Sequence, residues 1–257
     1  MDINIIPKFL DSALTPVGKE VGERLADIVS LVFTPVIKAK TRRDNNLKLF
    51  LEDLDKKVNE IPEDKLQEPP LNIVGPALDD VAKFYYDEEY LRKLFANLIA
   101  SSMNKDCYVH PSFIKTIEQM SPDDAQIIYK VLVPLGLNFS DHVRNIFIAG
   151  EFTLIFIEGS NLKQWQDATL LFTIPRDIKV PRRYPDQLAL KRGLTNLERL
   201  GLIFFSDLRK SNYKLELFPN VPNNGVYEVT VAATTYGTSF ANVCCENPYD
   251  HKIYTMW

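Results

Sequence analysis

The sequence predicts an α+β protein, mainly α with a small β part: a helical domain over residues 1–120, then a winged-helix-like domain over residues 121–257. Three observations carry this. Apolar residues recur at helical spacing through the first half. After Pro134 the pattern changes to aromatic and β-branched runs. Near the end, a helix closing at Gly201 is followed by two strand-like runs around a turn-rich loop, the order of a winged helix.

Thr15 and Pro16 open a first helix, with Val17, Val21, Leu25, Ile28 and Val32 as its stripe, until Pro35 ends it. A second runs from Asp44 to Glu60, with Leu47, Leu51, Leu54 and Val58 on one face. Pro76 opens a third. A fourth, about Asp87 to Asn104, starts with three acids that suit a positive helix N-terminus. Its small Ala96, Ala100, Ser101 and Ser102 let another helix approach, and Asn97 interrupts the stripe where it can hydrogen-bond across. A further helix starts at Pro111 or Ser112. Ser121-Pro122-Asp123-Asp124 is a cap-plus-acid signature opening a helix that reaches Val133 and joins the two domains. Strands are expected at Glu151 to Glu158 and Leu170 to Ile174. A helix covers Asp186 to Leu200, with Gly201 in the C-cap position. Tyr213 to Phe218 and Val226 to Ala232 form the expected hairpin, and a helix from about Ser239 to Cys245 closes the fold.

Composition bounds the function. A chain of 257 residues buries a sizeable core without a metal or disulfide staple. A net charge of -4 argues against a generic polyanion binder. Cys107, Cys244 and Cys245 are too few for a secreted framework, which points to a reducing cytoplasm. The start of the chain does not read as a signal peptide. The most apolar early run, Ile28 to Ile37, is about half the roughly 20 residues that a membrane span requires.

The strings EPPLNIVGPAL (Glu68 to Leu78), EEYLRKLFANLIASSMNK (Glu88 to Lys105) and VHPSFIKTIEQMSPDDAQII (Val109 to Ile128) resemble the abortive-infection alpha family. Weaker similarity covers Gly18 to Pro35 and the C-terminal half. The resemblance implies a bacterial protein linked to phage exclusion. It brings no agreed catalytic residues, so none is carried over.

Four sets of residues allow a chemical reading beside a plainer one. Arg182, Arg183, Lys191, Arg192, Arg199, Arg209 and Lys210, with Lys214, give a local charge of +5 against Asp186, Glu198 and Asp207. Such a patch could hold nucleic acid through phosphate contacts; the plainer reading is a solvated surface or a protein-contact module. Cys107 and His110 have C-x-x-H spacing, but zinc wants about four ligands, and His142 and His251 are distant; a capping or packing His110 is favoured. Asp177-x-Lys179, with Asp167 or Glu158 upstream, could position Mg²⁺ and a water, but Pro175 breaks the carrying strand and a mixed-charge loop is favoured. Gly18 and Gly22 have the spacing of close helix approach; the mixed-sign face around them argues for packing rather than membrane contact. No phosphate loop, dinucleotide turn or nucleophile elbow is present.

The sequence therefore predicts a non-enzymatic phage-defence protein, a sensor or effector with a host or phage protein as partner, needing no cofactor or metal. A nucleic-acid-binding regulator is the first alternative and a membrane-acting effector the second; self-association is left open.

Overall fold

The computed structural model describes residues 22–25, 27–28, 42–83, 88–129, 151–157, 170–175, 182–183, 186–205, 209–210 and 226–245. The chain divides into two compact units: Met1–Met120 with Val243–Cys245, and Ser121–Asn242 with Glu246–Trp257.

In the first unit, helix α1 is described over residues 22–25 and 27–28. It is followed by α2 (Arg42–Asn59), a 3-10 turn (Glu63–Lys65), α3 (Leu71–Lys83), α4 (Glu89–Ser102) and α5 (Ser112–Glu118). Helix α4 is the axis of this unit. Leu91, Leu94, Phe95, Leu98 and Ile99 are fully buried, and so are the small residues Ala96, Ala100 and Ser102. A helix buried on every side needs neighbours on every side. Helices α2, α3 and α5 pack on it. Helix α2 contributes the stripe Phe50, Leu54 and Val58, with Lys48, Glu52 and Lys56 outward. At the edge of that seam the Arg92 guanidinium donates to Asp53 at 2.7 Å, with both side chains largely buried.

Helix α3 begins at Leu71, five residues before the expected start at Pro76, which lies inside it. The amides of Ile73 and Val74 both bond to the Pro70 carbonyl, so the turn begins at the Pro69-Pro70 pair. Pro76 has no N–H to donate, so the Asn72 carbonyl loses its intrahelical partner there.

The second unit opens with α6 (Pro122–Ile127) and its capping box: Asp124 N donates to Ser121 Oγ, and Ser121 N donates to Asp124 Oδ2 at 2.7 Å. A six-stranded antiparallel sheet follows, made of β1 (Glu151–Ile157), β2 (Leu170–Pro175), β3 (Arg182–Arg183), β4 (Ile203–Phe205), β5 (Arg209–Lys210) and β6 (Val226–Ala233). Its order is β3-β2-β1-β6-β4, with β5 also on β6. Strands β1, β2 and β6 fall where the sequence predicts strands, and the short β3, β4 and β5 are additional. Strand β6 pairs with β1 along one side and with β4 and β5 along the other. The β4 and β5 registers on β6 differ by one residue. The expected partner strand Tyr213 to Phe218 lies outside the described residues.

Helix α7 (Gln187–Arg199) buries Ala189, Leu190, Leu194 and Leu197 and packs on α6 and β4. It ends in a full Schellman motif. Gly201 N donates to Glu198 O, Leu202 N donates to Leu197 O, and Gly201 has φ +73°, open to glycine at little cost. Helix α8 (Thr235–Cys244) starts four residues earlier than the sequence pattern indicates. Its cap explains why: the Thr234 hydroxyl accepts from Gly237 N at 2.8 Å and donates to the Gly201 carbonyl.

Glycine is required at 237, where an added Cβ would collide with the backbone carbonyl of Leu202. Gly75 in α3 has open space around it. Gly237→Ala is therefore expected to destabilise by about 2 kcal/mol or more, since backbone cannot move aside as a side chain can. Gly75→Ala is expected to stabilise by roughly 0.5–1 kcal/mol through helix propensity. Urea midpoints of the two variants check this; equal midpoints would refute the close approach of Gly237 to Leu202.

Candidate functional site

Two places in the first unit gather polar and reactive side chains. The first lies along the last turns of α4. The final carbonyls of any helix lack intrahelical donors. For α8 they are met by α4: Asn97 Nδ2 donates to Cys244 O at 3.0 Å, and Ser101 Oγ donates to Val243 O at 2.9 Å. Asn97 is only 6% exposed, so this bond accounts for a polar residue inside an apolar helix. Cys107 is half-buried, and Cys244 and Cys245 are buried. Burial raises the Cys107 pKa, against a smaller lowering by the Ser101 side chain. Burial holds the Cys244 thiol well above its ordinary range, with the charges of Cys245 and Cys107 adding to the effect.

The second place is the loop from Asn104 to His110. Gln67 N donates to Met103 O at 2.8 Å, Lys105 N donates to Lys65 O at 2.9 Å, and the Gln67 amide donates to Ser102 O. The Lys65 ammonium pairs with Asp106, which raises the lysine pKa, chiefly through that hydrogen bond. Asp106 N turns back to Asn104 Oδ1. From this clamped loop Tyr108 stands out 80% exposed. Its ring meets His110 edge-on at 6.4 Å, and His110 meets the buried Phe113 at 6.1 Å. His110 Nδ1 accepts from Ser112 N and contacts Ser112 Oγ at 2.7 Å, so it serves the start of α5. The ring nitrogen nearest the chain is thereby occupied. Among the described residues no group of three or more His, Cys, Asp or Glu could hold a metal.

The basic positions fall on three elements. Lys191, Arg192 and Arg199 lie on α7. Arg192 is exposed and 3.8 Å from Asp123; Arg199 Nε donates to Asn196, whose amide donates to Asp124 at 2.6 Å. Arg182–Arg183 form β3 at one edge of the sheet, and Arg209–Lys210 form β5 beyond β6. Strands β2, β1 and β6 separate them, on the order of 19 Å at ordinary strand spacing. Lys214, Glu158, Asp167, Asp177, Lys179, His142, His251 and Gly18 lie outside the described residues. Gly22 and Leu25 are buried, and Arg24 pairs with Glu68 at 2.6 Å. Among the described residues no helix is long and apolar enough to cross a membrane.

Tyr108 lies in a stretch with neither helical nor strand period, so periodicity gives no signal for it. The usable signal was an aromatic two residues from Lys105-Asp106 charges and two before a helix-capping histidine.

These features define a two-unit α+β protein whose described polar residues mostly fasten helix ends and loops. The chain belongs to the abortive infection alpha family, whose model matches residues 42–244. That membership associates it with phage defence by abortive infection. No curated protein and no solved structure matches it.

Asn97→Ala would leave the Cys244 carbonyl buried without its donor. The expected loss is about 1–3 kcal/mol of stability. Phage protection should fall only as far as the folded fraction falls, measured by plating efficiency beside a melting curve. Intact folding with abolished protection would instead make Asn97 a functional contact.

Proposed function

We propose that the protein acts in phage defence as a non-enzymatic sensor or effector, through contact with a host or phage protein in the cytoplasm. The observation that supports this reading is Tyr108. A tyrosine is a frequent anchor of protein interfaces because it brings large contact area at small entropic cost. Here the loop is clamped from both sides and the ring is braced by His110, so little ordering is left for binding to impose.

Tyr108→Ala should leave stability within about 0.5 kcal/mol, as an exposed position does. It should weaken partner binding by roughly 2 kcal/mol, or about 30-fold, if Tyr108 is the anchor. Plaque counts on cells carrying the variant, beside its melting curve, are the test; undiminished protection would sink the proposal.

One arrangement favours the nucleic-acid reading as the alternative. Helix α7 is followed directly by β4 and β5, both antiparallel to β6, which is a helix followed by a long hairpin. This order supports the winged-helix comparison, with α7 as the contacting helix. The separation of β3 from β5 and the Arg192–Asp123 pair weigh against a continuous phosphate track. Neutralising Arg182, Arg183, Lys191 and Arg192 together discriminates. Under the protein-contact reading the intact protein shows no retention on DNA or RNA at about 50 mM salt, where electrostatic binding is strongest. Clear retention that the quadruple variant loses evenly across sequences would put the regulator first.

A further inference from the structure

We propose that the outward face of α7 is a docking surface for an acidic segment of a partner protein, which sets two carboxylates on Arg192 and Arg199 and an apolar side chain on Leu188. The helix has two unlike sides. Ala189, Leu190, Gly193, Leu194 and Leu197 are buried. Leu188, Arg192, Thr195 and Arg199 are all exposed. Their spacing of four, three and four residues puts them in one line along the helix, the pattern by which a helix face meets a partner. At ordinary helix rise the line is about 16 Å long, with its two arginines about 10 Å apart. Leu188 heads it at 61% exposed, where an apolar side chain adds nothing to the core.

The two arginines are prepared in different ways. Arg199 is held: its Nε donates to Asn196 Oδ1 at 2.9 Å, and the Asn196 amide donates to the buried Asp124 at 2.6 Å. A side chain already fixed loses less entropy when a carboxylate arrives. Arg192 is 3.8 Å from Asp123, with both side chains more than half exposed. An ion pair of that kind contributes little, so a partner carboxylate can displace it. The mixture of charges selects the class of partner. Exposed acids stand beside the line: Asp123 near Arg192, Asp186 at the helix cap, and Glu198 next to Arg199 in sequence. They repel a chain of phosphates, whereas two discrete carboxylates seated on the arginines avoid them. A helix that reads a nucleic-acid groove offers polar side chains to base edges from its first turns. The first turn of α7 offers Leu188 instead, and the Thr195 hydroxyl donates to the Lys191 carbonyl at 2.9 Å. The proposal goes beyond the reading built on Tyr108. It concerns the second unit and stands or falls apart from that residue.

The probe is a synthetic helical peptide with two glutamates two turns apart and a leucine one turn beyond them, made in both chain directions. It is titrated against the intact protein by fluorescence anisotropy. The parent should bind one of the two peptides. Arg192→Glu should weaken that binding at least about tenfold, because it sets like charges against each other. Leu188→Ala should weaken it too, and both variants should melt as the parent does. Arg192→Gln, which removes the charge without placing an acid beside Asp123, should give a smaller loss and keeps the test decisive if Arg192→Glu is unstable. A peptide with lysines in place of the glutamates should prefer the Arg192→Glu, Arg199→Glu double variant to the parent. Tyr108→Ala should bind the glutamate peptide unchanged, which separates this surface from the Tyr108 loop. No binding of either peptide, binding indifferent to Arg192→Glu and Leu188→Ala, or tighter binding of a mixed-sequence DNA duplex at the same salt would each overturn the proposal.

Discussion

The first unit depends on what happens to the carbonyls at the end of α8. A helix that stops inside a packed interior leaves acceptors with no water to turn to, and each unmet one costs on the order of a kcal/mol or more. Asn97 and Ser101 supply the donors from α4. That requirement dictates much of α4. The helix must carry polar groups four residues apart on one face, stay small at 96 and 100, and still present Leu94, Phe95, Leu98 and Ile99 elsewhere. The mixture of alanine, asparagine and serine in an otherwise apolar helix is the residue-level record of this demand. It also makes Val243–Cys245 members of the first unit although they end a helix that begins in the second.

The second unit has a matching seam with a different solution. Close approach there is achieved by removing side chains. Gly193 faces Ile127 with no space for a methyl group, and Gly237 faces the Leu202 backbone. The two differ in what would yield. Beside Gly193 the obstacle is the tip of an isoleucine, which can change rotamer at a cost of order 1 kcal/mol. Beside Gly237 it is a peptide carbonyl already engaged by Thr234 N. Thr234 also caps α8 and bonds Gly201 O, so the Schellman end of α7, the start of β4 and the start of α8 share one small set of groups. A change at any of the three is felt by the others.

Local chemistry was legible in the sequence wherever a motif is short and self-contained. Ser121-Pro122-Asp123-Asp124 announced its capping box, and Gly201 its C-cap, because both depend on residues within one turn. Asn97 was legible as a bond across to another helix, though not which helix. The start of helix α3 is not legible from Pro76, because Pro69-Pro70 already performs the opening role. The short strands β3, β4 and β5 left no periodic trace; two or three residues cannot show a period, and their pairing on β2 and β6 is long-range. For the same reason the basic residues looked like one cluster. Sequence proximity between Arg182 and Lys210 becomes opposite sides of a five-strand path once β2, β1 and β6 are placed between them.

That redistribution bears on the proposed contact with a partner. Phosphate recognition gains from cations spaced along one track, because each neutralised phosphate adds its own counterion release. Cations divided between sheet edges, with Arg192 beside Asp123 and Arg199 turned onto Asn196, offer a weaker and more local field. The Tyr108 loop has the opposite character. Its backbone is tied to residues 65 and 67, its charges Lys65 and Asp106 answer each other, and its aromatic ring faces water. Leaving a large ring exposed on a rigid support gains nothing for the fold itself. Rigid support lowers the entropy lost on binding, and the ring supplies the area to be covered. A surface of that kind is suited to recognising another protein.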